Sequence, residues 1–139
     1  MPGVDDLKYY ELTRARLEHE DGLIVNRLSW LMASQSFLFT AYAIVTNGPV
    51  SPPAGRTLLL LQLVPLIGVI STAIIYAGVL AAVCAMRWLL ATYRVRIPDE
   101  AALGAPPIFT PPPIRRWGMA APLFLPAVFL LAWLYLLLR

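Results

Sequence analysis

Apolar side chains along this chain fall into three long runs that contain no charged residue. The runs cover residues 28–46, 58–86 and 118–138, and they are 19, 29 and 21 residues long. As helices they would measure about 28, 43 and 31 Å, and the hydrocarbon core of a bilayer is about 30 Å thick. The pattern predicts an all-α membrane protein with three transmembrane helices.

Prolines mark where these helices end or bend. Pro65 divides the second run, so we expect residues 58–64 near the outer interface and the span proper over 65–88. Pro122 falls in the first turn of the third run, whereas Pro126 is interior and predicts a kink. The predicted organisation is a charged helix at 1–27, transmembrane helices at 28–46, 58–88 and 118–138, an outer loop at 47–57 and a Pro/Arg-rich loop at 89–117.

The first 27 residues carry six carboxylates, which is incompatible with the apolar core of a cleavable signal peptide. They predict a charged helix that continues into the first span, with Gly22 as a weak point between the two parts. The expected N-cap is Asp5 or Asp6, and the expected i,i+4 pairs join Arg14 to Glu18 and Arg16 to Glu20.

A stripe of apolar side chains follows one face of this charged helix into the first span. Its members recur at three- and four-residue steps, and they are Leu7, Tyr10, Leu17, Ile24, Leu28 and Leu31. Two interpretations stay open. The stripe packs against a partner helix, with Arg14 and Asp21 pairing across the interface, or it contacts residues 93–103 of its own chain.

The segment from residue 94 to residue 116 contains six prolines, which forbid a long helix and predict a stiff connector. Its Pro-Pro-Pro-Ile-Arg-Arg run could bind a proline-recognition domain or anionic lipid head groups. Connecting two spans is the more economical interpretation of the segment.

Composition supports the membrane class. Hydrophobic residues make up 59% of the chain and charged residues 14%, against about 45–50% and 25% in soluble domains. The net charge is +3, but the cations cluster at the ends of apolar runs and form no stripe interleaved with stacking aromatics. We therefore exclude nucleic acid as a partner. Cys84 stands alone, so no intrachain disulfide can form, and we expect it to be a small buried hydrophobe.

The distribution of Lys and Arg predicts the orientation of the spans. On one side lie Lys8, Arg14, Arg16, Arg27, Arg87, Arg94, Arg96, Arg115 and Arg116, and on the other only Arg56 and Arg139. Nine cations against two place the N-terminus in the cytoplasm and the C-terminus outside, in an inner membrane. Trp30, Trp88 and Trp117 all fall at the cytoplasmic ends of their spans, where indoles prefer to lie.

A search for catalytic groups predicts no catalytic, cofactor-binding or metal-binding residue, and hence no enzyme. His19 has no second histidine to pair with, and the chain contains no phosphate-binding glycine loop or nucleophile motif. The runs also hold no ionisable Asp, Glu, Lys, Arg or His, which disfavours proton- or sodium-coupled transport.

Small and polar residues form a narrow stripe along the first span: Ser29, Ala33, Ser36, Thr40, Ala43 and Asn47. Around a symmetry axis this stripe could line a hydroxyl-walled pore whose selectivity comes from neutral dipoles and diameter. The simpler interpretation is that small residues allow close helix contact and that the hydroxyls bond their own backbone. We favour that second interpretation.

The second span carries its own set of small residues. Ala73, Ala77, Ala81 and Ala85 form a ladder at steps of four, and Gly78 with Ala82 forms a neighbouring pair. Both patterns predict close helix packing. Gln35 in the first span needs a hydrogen-bond partner, within the chain or across a subunit boundary, because a buried amide without one costs several kcal/mol.

A charged helix followed by Arg27, Trp30, Gln35 and the run Phe37-Leu38-Phe39 fits the pattern R-x-x-W-x4-Q-x-F-L-F-x-A-Y. In this stretch, residues 19–42, the chain resembles small bacterial helical membrane proteins that carry no assigned activity. The resemblance implies a bacterial source. A cytoplasmic helix that leads into tandem spans is also loosely similar to SLATT-type membrane effectors, from whose two-span plan the third span departs.

These observations lead to two functional hypotheses. The first is a non-enzymatic membrane protein that works as a homo-oligomer, with a candidate channel along Ser29, Ser36 and Thr40. The second is an accessory or scaffold subunit within a larger membrane complex. The expected partners are the lipid bilayer and either further copies of the chain or other membrane subunits.

Overall fold

The computed structural model describes residues 4–48, 55–99, 101–108 and 118–139. This part of the chain is all-helical, and its three long helices are α1 (Val4–Thr46), α2 (Gly55–Arg96) and α3 (Ala120–Leu138). A single 3-10 turn follows α2 at Ala101–Leu103. All three long helices are long and apolar enough to cross a membrane, which supports a membrane location.

Helix α1 is continuous over 43 residues, or about 64 Å, roughly twice the thickness of a bilayer core. The predicted continuity of the charged helix and the first span is therefore confirmed, and Gly22 does not break the helix. Asp5 and Asp6 lie in the first turn and not at the N-cap, because the helix already includes Val4.

Of the two predicted ion pairs on α1, the structure contains the one between Arg14 and Glu18, whose Nε and Oε1 atoms are 3.0 Å apart. Arg16 and Glu20 form no salt bridge in the described part of the chain. Both side chains of the Arg14–Glu18 pair are exposed, so solvent screens their attraction and the pair contributes little to stability.

Helix α2 is also longer than its predicted span. It runs without interruption through Pro65, so this proline does not divide it. In a membrane helix the loss of one backbone hydrogen bond at proline is tolerated where neighbouring helices cover the site, and Pro65 is buried. The helix ends at Arg96, two residues before Pro98, so the first eight residues of the predicted 89–117 loop are helical.

Helix α2 forms the centre of the packing, since it contacts both α1 and α3 extensively, whereas α1 and α3 touch each other little. It runs antiparallel to α1: Tyr10 meets Tyr93 near one end, and Gln35 meets Ser71 further along. Midway, Ile24 packs with Val79, Ala82 and Val83 in a buried cluster, which Met119 at the start of α3 covers.

The N-terminal end of α1 packs against its own chain. Tyr10 is buried with Tyr93, Ile97 and Leu103, and its hydroxyl donates a 2.8 Å hydrogen bond to the carbonyl oxygen of Pro106. Three members of the apolar stripe, Tyr10, Ile24 and Leu31, are buried within the chain, whereas Leu7 stays exposed. Tyr10 contacts residues 93–103, as the second interpretation of the stripe predicts.

A tight contact joins α2 to α3 at Gly68, where a Cβ atom would overlap the indole of Trp133 and lie 2.7 Å from its Nε1 atom. Trp133 is fully buried, so the ring has no room to retreat. We expect Gly68→Ala to lower the free energy of unfolding by about 1–3 kcal/mol through overpacking. Titration of the detergent-purified protein with a denaturing detergent measures this change.

Gly22→Ala is the matched control, because a Cβ atom at Gly22 would meet nothing within 4 Å. This substitution in an exposed helix interior should raise stability by about 1 kcal/mol through helix propensity alone. Equal effects at the two glycines would contradict the packing of Trp133 on Gly68.

Candidate functional site

The small and polar stripe of α1 lies on the outer surface of the helix bundle. Its members Ser29, Ala33, Ser36, Thr40, Ala43 and Asn47 are all exposed. The opposite side of the same helix is buried against α2 and α3 through Leu31 and Gln35. We call this outer set the α1 stripe.

Hydrogen bonds to the helix backbone use the hydroxyl donors of the α1 stripe and one N–H of the Asn47 amide. Ser36 Oγ donates to the carbonyl of Met32 and Thr40 Oγ1 to that of Ser36, each at 2.8 Å. Ser29 Oγ donates in the same way to Val25 at 3.0 Å, and Asn47 Nδ2 to Ala43 at 2.9 Å. Each hydroxyl oxygen keeps lone pairs that can accept a hydrogen bond from water. The stripe is therefore a neutral surface of acceptors.

Gln35 does not belong to this outer surface. It is fully buried, and its Nε2 atom lies 3.3 Å from Ser71 Oγ on α2 and 3.4 Å from Ser34 Oγ. Its Oε1 atom accepts a hydrogen bond from Trp133 Nε1 on α3. The partner that Gln35 requires thus lies within the chain, and one amide links all three helices. We call Gln35, Ser71 and Trp133 the three-helix junction.

Aromatic rings surround this junction. Phe39 stacks on Trp133 with ring centroids 4.2 Å apart, and Tyr42 contacts the same indole edge-on at 6.3 Å. Such ring contacts add about 0.5–1.5 kcal/mol each beyond their buried area. The inward polar atoms are therefore enclosed, and they offer no surface to a solute.

The small residues of α2 divide into two sets. Ala82 is buried in the cluster with Ile24, and Gly78 lies against Arg27 of α1. Ala73, Ala77, Ala81 and Ala85 are exposed, so this ladder has no role in packing within the described chain. Cys84 is also exposed, which corrects the expectation that it is buried, because it lies on the side of α2 away from Val79 and Val83.

The predicted orientation anchors are mostly exposed. Trp30 and Trp88 have 74% and 69% of their surface exposed, and Arg87, Arg94 and Arg96 are exposed on the same half of the bundle. Arg27 differs, because it is half-buried and its Nη1 atom donates a 2.8 Å hydrogen bond to the carbonyl of Gly78. Arg115, Arg116 and Trp117 lie outside the described residues.

Two shallow depressions mark the ends of the bundle. One has a volume of about 330 Å³ and is lined by Gln62 and four leucines, and the other, of about 150 Å³, lies between Asp6, Arg96 and Asp99. Within the described ranges no group of three or more His, Cys, Asp or Glu side chains could hold a metal ion. That the protein lacks catalytic and cofactor-binding residues stays a prediction.

Comparison with known proteins adds no assignment to this geometry. No family model, curated protein or solved structure matches the chain. The resemblance to small bacterial membrane proteins therefore stays an expectation, and the proposals below depend on the geometry of the chain itself.

Sequence reasoning missed the contribution of Trp133 to the three-helix junction. The available signal was its position: Trp30, Trp88 and Trp117 fall at the ends of apolar runs, whereas Trp133 falls inside one. An indole N–H inside an apolar run needs a hydrogen-bond acceptor, and Gln35 was the neutral polar side chain predicted to need a partner. Glycine at position 68, directly opposite, supplies the space.

The three-helix junction can be tested by a double-mutant cycle of Gln35→Leu and Trp133→Phe. Gln35→Leu should cost about 1–3 kcal/mol, because it leaves the buried indole N–H without its acceptor. The double variant should be less destabilised than the sum of the single variants by about 0.6–2 kcal/mol. Denaturant titration in detergent measures all three free energies.

Gln62→Leu is the control for this cycle, since Gln62 is exposed. It should change stability by less than about 0.5 kcal/mol. Additivity of Gln35→Leu and Trp133→Phe would mean that the two side chains are not coupled.

Proposed function

We propose that this protein is an integral membrane protein that works as a homo-oligomer, in which the α1 stripes of several copies face a common axis and line a neutral pore. The observation that carries the proposal is the exposure of the α1 stripe on the outside of a bundle whose other central polar groups are enclosed. We place the N-terminus in the cytoplasm, from nine cations against two.

Self-association is supported by the two exposed small-residue surfaces of each chain. In lipid, helices associate through close van der Waals contact, which small side chains permit. The alanine ladder on α2 lies on a different helix from the α1 stripe, so it can contact a neighbouring copy while the stripe faces the common axis. Contacts of that kind close into rings when the rotation between copies allows it.

Conduction along the α1 stripe would be selective by size and dipole. The hydroxyls of Ser29, Ser36 and Thr40 donate to backbone carbonyls, so towards the axis their oxygens can only accept hydrogen bonds. Such a lining suits water, small neutral solutes or ions that keep part of their hydration shell. It contains no charged ring, so the pore would discriminate weakly between cations and anions.

The alternative function is that of an accessory subunit in a larger membrane complex. It is favoured by Leu7 and Leu12, which are 43% and 61% exposed near the N-terminal end of α1, well outside the apolar run. Apolar side chains at such positions are a surface that a different subunit could cover. The two functions differ in what the purified chain does alone.

Oligomer formation about the α1 stripe should be visible in the purified protein. We expect a discrete multiple of 15.4 kDa in detergent, measured by light scattering with the detergent contribution subtracted. In a Cys84→Ala background, Ser36→Cys should form dimers with a short bifunctional thiol crosslinker, because copies of residue 36 face a common axis across the pore.

Ala41→Cys in the same background is the control for the crosslinking. Residue 41 is exposed but lies five residues from Ser36, about 140° around the helix, so it should not crosslink. If the protein is a monomer at every concentration, the homo-oligomer proposal is wrong and the accessory-subunit function is favoured.

Solute flux tests the pore. Ser36→Leu or Thr40→Leu should reduce ion or solute flux in reconstituted vesicles to that of protein-free vesicles, because a branched apolar side chain replaces an acceptor at the axis. Ala41→Leu adds the same side chain on an exposed neighbouring face and should leave flux unchanged. Wild-type vesicles without flux under any voltage or pH would exclude the pore.

A further inference from the structure

Arg27 lies deeper in the bundle than its place at the end of the first apolar run implies. Its guanidinium bonds the carbonyl of Gly78, which is eight residues, or about 12 Å, inside the apolar run of α2 that ends at Met86. The residue that precedes α3, Met119, packs nearby against the cluster of Ile24, Val79, Ala82 and Val83. The apolar segment of α2 therefore extends past Arg27, from Gly78 to Met86.

Gly78 provides a slot for the side chain of Arg27. A Cβ atom at residue 78 would lie 3.3 Å from Arg27 Nε, which is tighter than ordinary contact, and 3.5 Å from Cδ. The guanidinium is thus held against α2 by shape and by one hydrogen bond. Gly78 thus leaves room for the side chain of Arg27.

The charge of Arg27 has no partner of opposite sign in the described part of the chain. One turn away on α1 lie only apolar side chains, at residues 23, 24, 30 and 31, and the nearest carboxylate in the sequence is Asp21, about 9 Å along the axis. On α2 the first charge beyond Gly78 is Arg87, a second cation. Gly78 supplies a neutral carbonyl, which uses one of five guanidinium N–H donors.

We propose that Arg27 binds the phosphate of an anionic phospholipid in the leaflet that faces the N-terminal end of α1. A guanidinium with free donors forms paired hydrogen bonds to phosphate oxygens, and a net negative lipid supplies the charge that the chain lacks. Trp30, one turn along and 74% exposed, presents an indole to the same lipid near the level of its glycerol backbone.

A lipid fits this position better than a soluble anion. The guanidinium is flanked by apolar helix segments, so a phosphate that reaches it must enter along the bilayer interface. The site lies within one chain. It depends on insertion of the protein in a membrane and not on self-association, so lipid binding and oligomer formation can fail separately.

Native mass spectrometry tests the site on the full chain, released from detergent that contains equal amounts of phosphatidylglycerol and phosphatidylcholine. Wild type should retain phosphatidylglycerol preferentially, and Arg27→Gln should lower that retention by about tenfold, the effect of one charged hydrogen-bonded contact. Arg87→Gln is the matched control: it removes an exposed cation on the same half of the bundle and should change retention by less than about twofold.

Two further variants separate binding from folding. Arg27→Lys keeps the charge but loses the paired geometry, and it should retain an intermediate amount of lipid. Gly78→Ala leaves every charge in place but forces the side chain of Arg27 to shift slightly, and it should lower retention by less than Arg27→Gln does. Equal retention by wild type and Arg27→Gln would overturn the proposal, and so would an equal loss in Arg87→Gln. Displacement of the lipid by millimolar inorganic phosphate would instead indicate a site for free anions.

Discussion

The buried amide of Gln35 is the interaction on which the arrangement of the three helices depends. Lipid gives helices no hydrophobic reason to associate, so packing and a few polar contacts must specify which surfaces meet. Gln35 reaches Ser71 on α2 and accepts a hydrogen bond from Trp133 on α3, although α1 and α3 otherwise touch little. An amide left without these partners in an apolar interior would cost several kcal/mol. The three-helix junction therefore favours one register over all shifted ones.

That register has a consequence for the depth of each helix. With Gln35 level with Ser71, the charged part of α1 meets a part of α2 that is still apolar, and Arg27 comes to rest against Gly78. The boundaries between polar and apolar sequence on neighbouring helices therefore do not coincide. At this mismatch the guanidinium of Arg27 is held by the carbonyl of Gly78, and the absence of a side chain on Gly78 leaves room for it.

Much of the fold could be predicted from the sequence, because uncharged apolar runs of 19 residues or more are typical of transmembrane helices, and the chain has three of them. The continuity of α1 followed from the absence of prolines between residue 4 and residue 46. Pro65 was misleading, since a proline that would end a helix in water is tolerated where neighbouring helices surround it. That Gln35 needs a hydrogen-bond partner was predicted, but which residue is the partner was not. The register between two helices depends on how their side chains pack, which the sequence pattern of one helix does not define. For the same reason, the contact between Arg27 and Gly78 could not be predicted.

Two polar groups of α1 with unused bonding capacity, Arg27 and Ser36, lie on opposite sides of the helix. Arg27 and Ser36 are nine residues apart, or about 2.5 helical turns, which places their side chains about 180° from each other. Arg27 lies at the groove with α2, and the α1 stripe is exposed on the far side. If the α1 stripes face a shared axis, each guanidinium is thereby directed away from that axis and towards lipid. A neutral lining and a lipid-bound cation are then compatible in one assembly, whereas an axis on the Arg27 side would bring several uncompensated charges together.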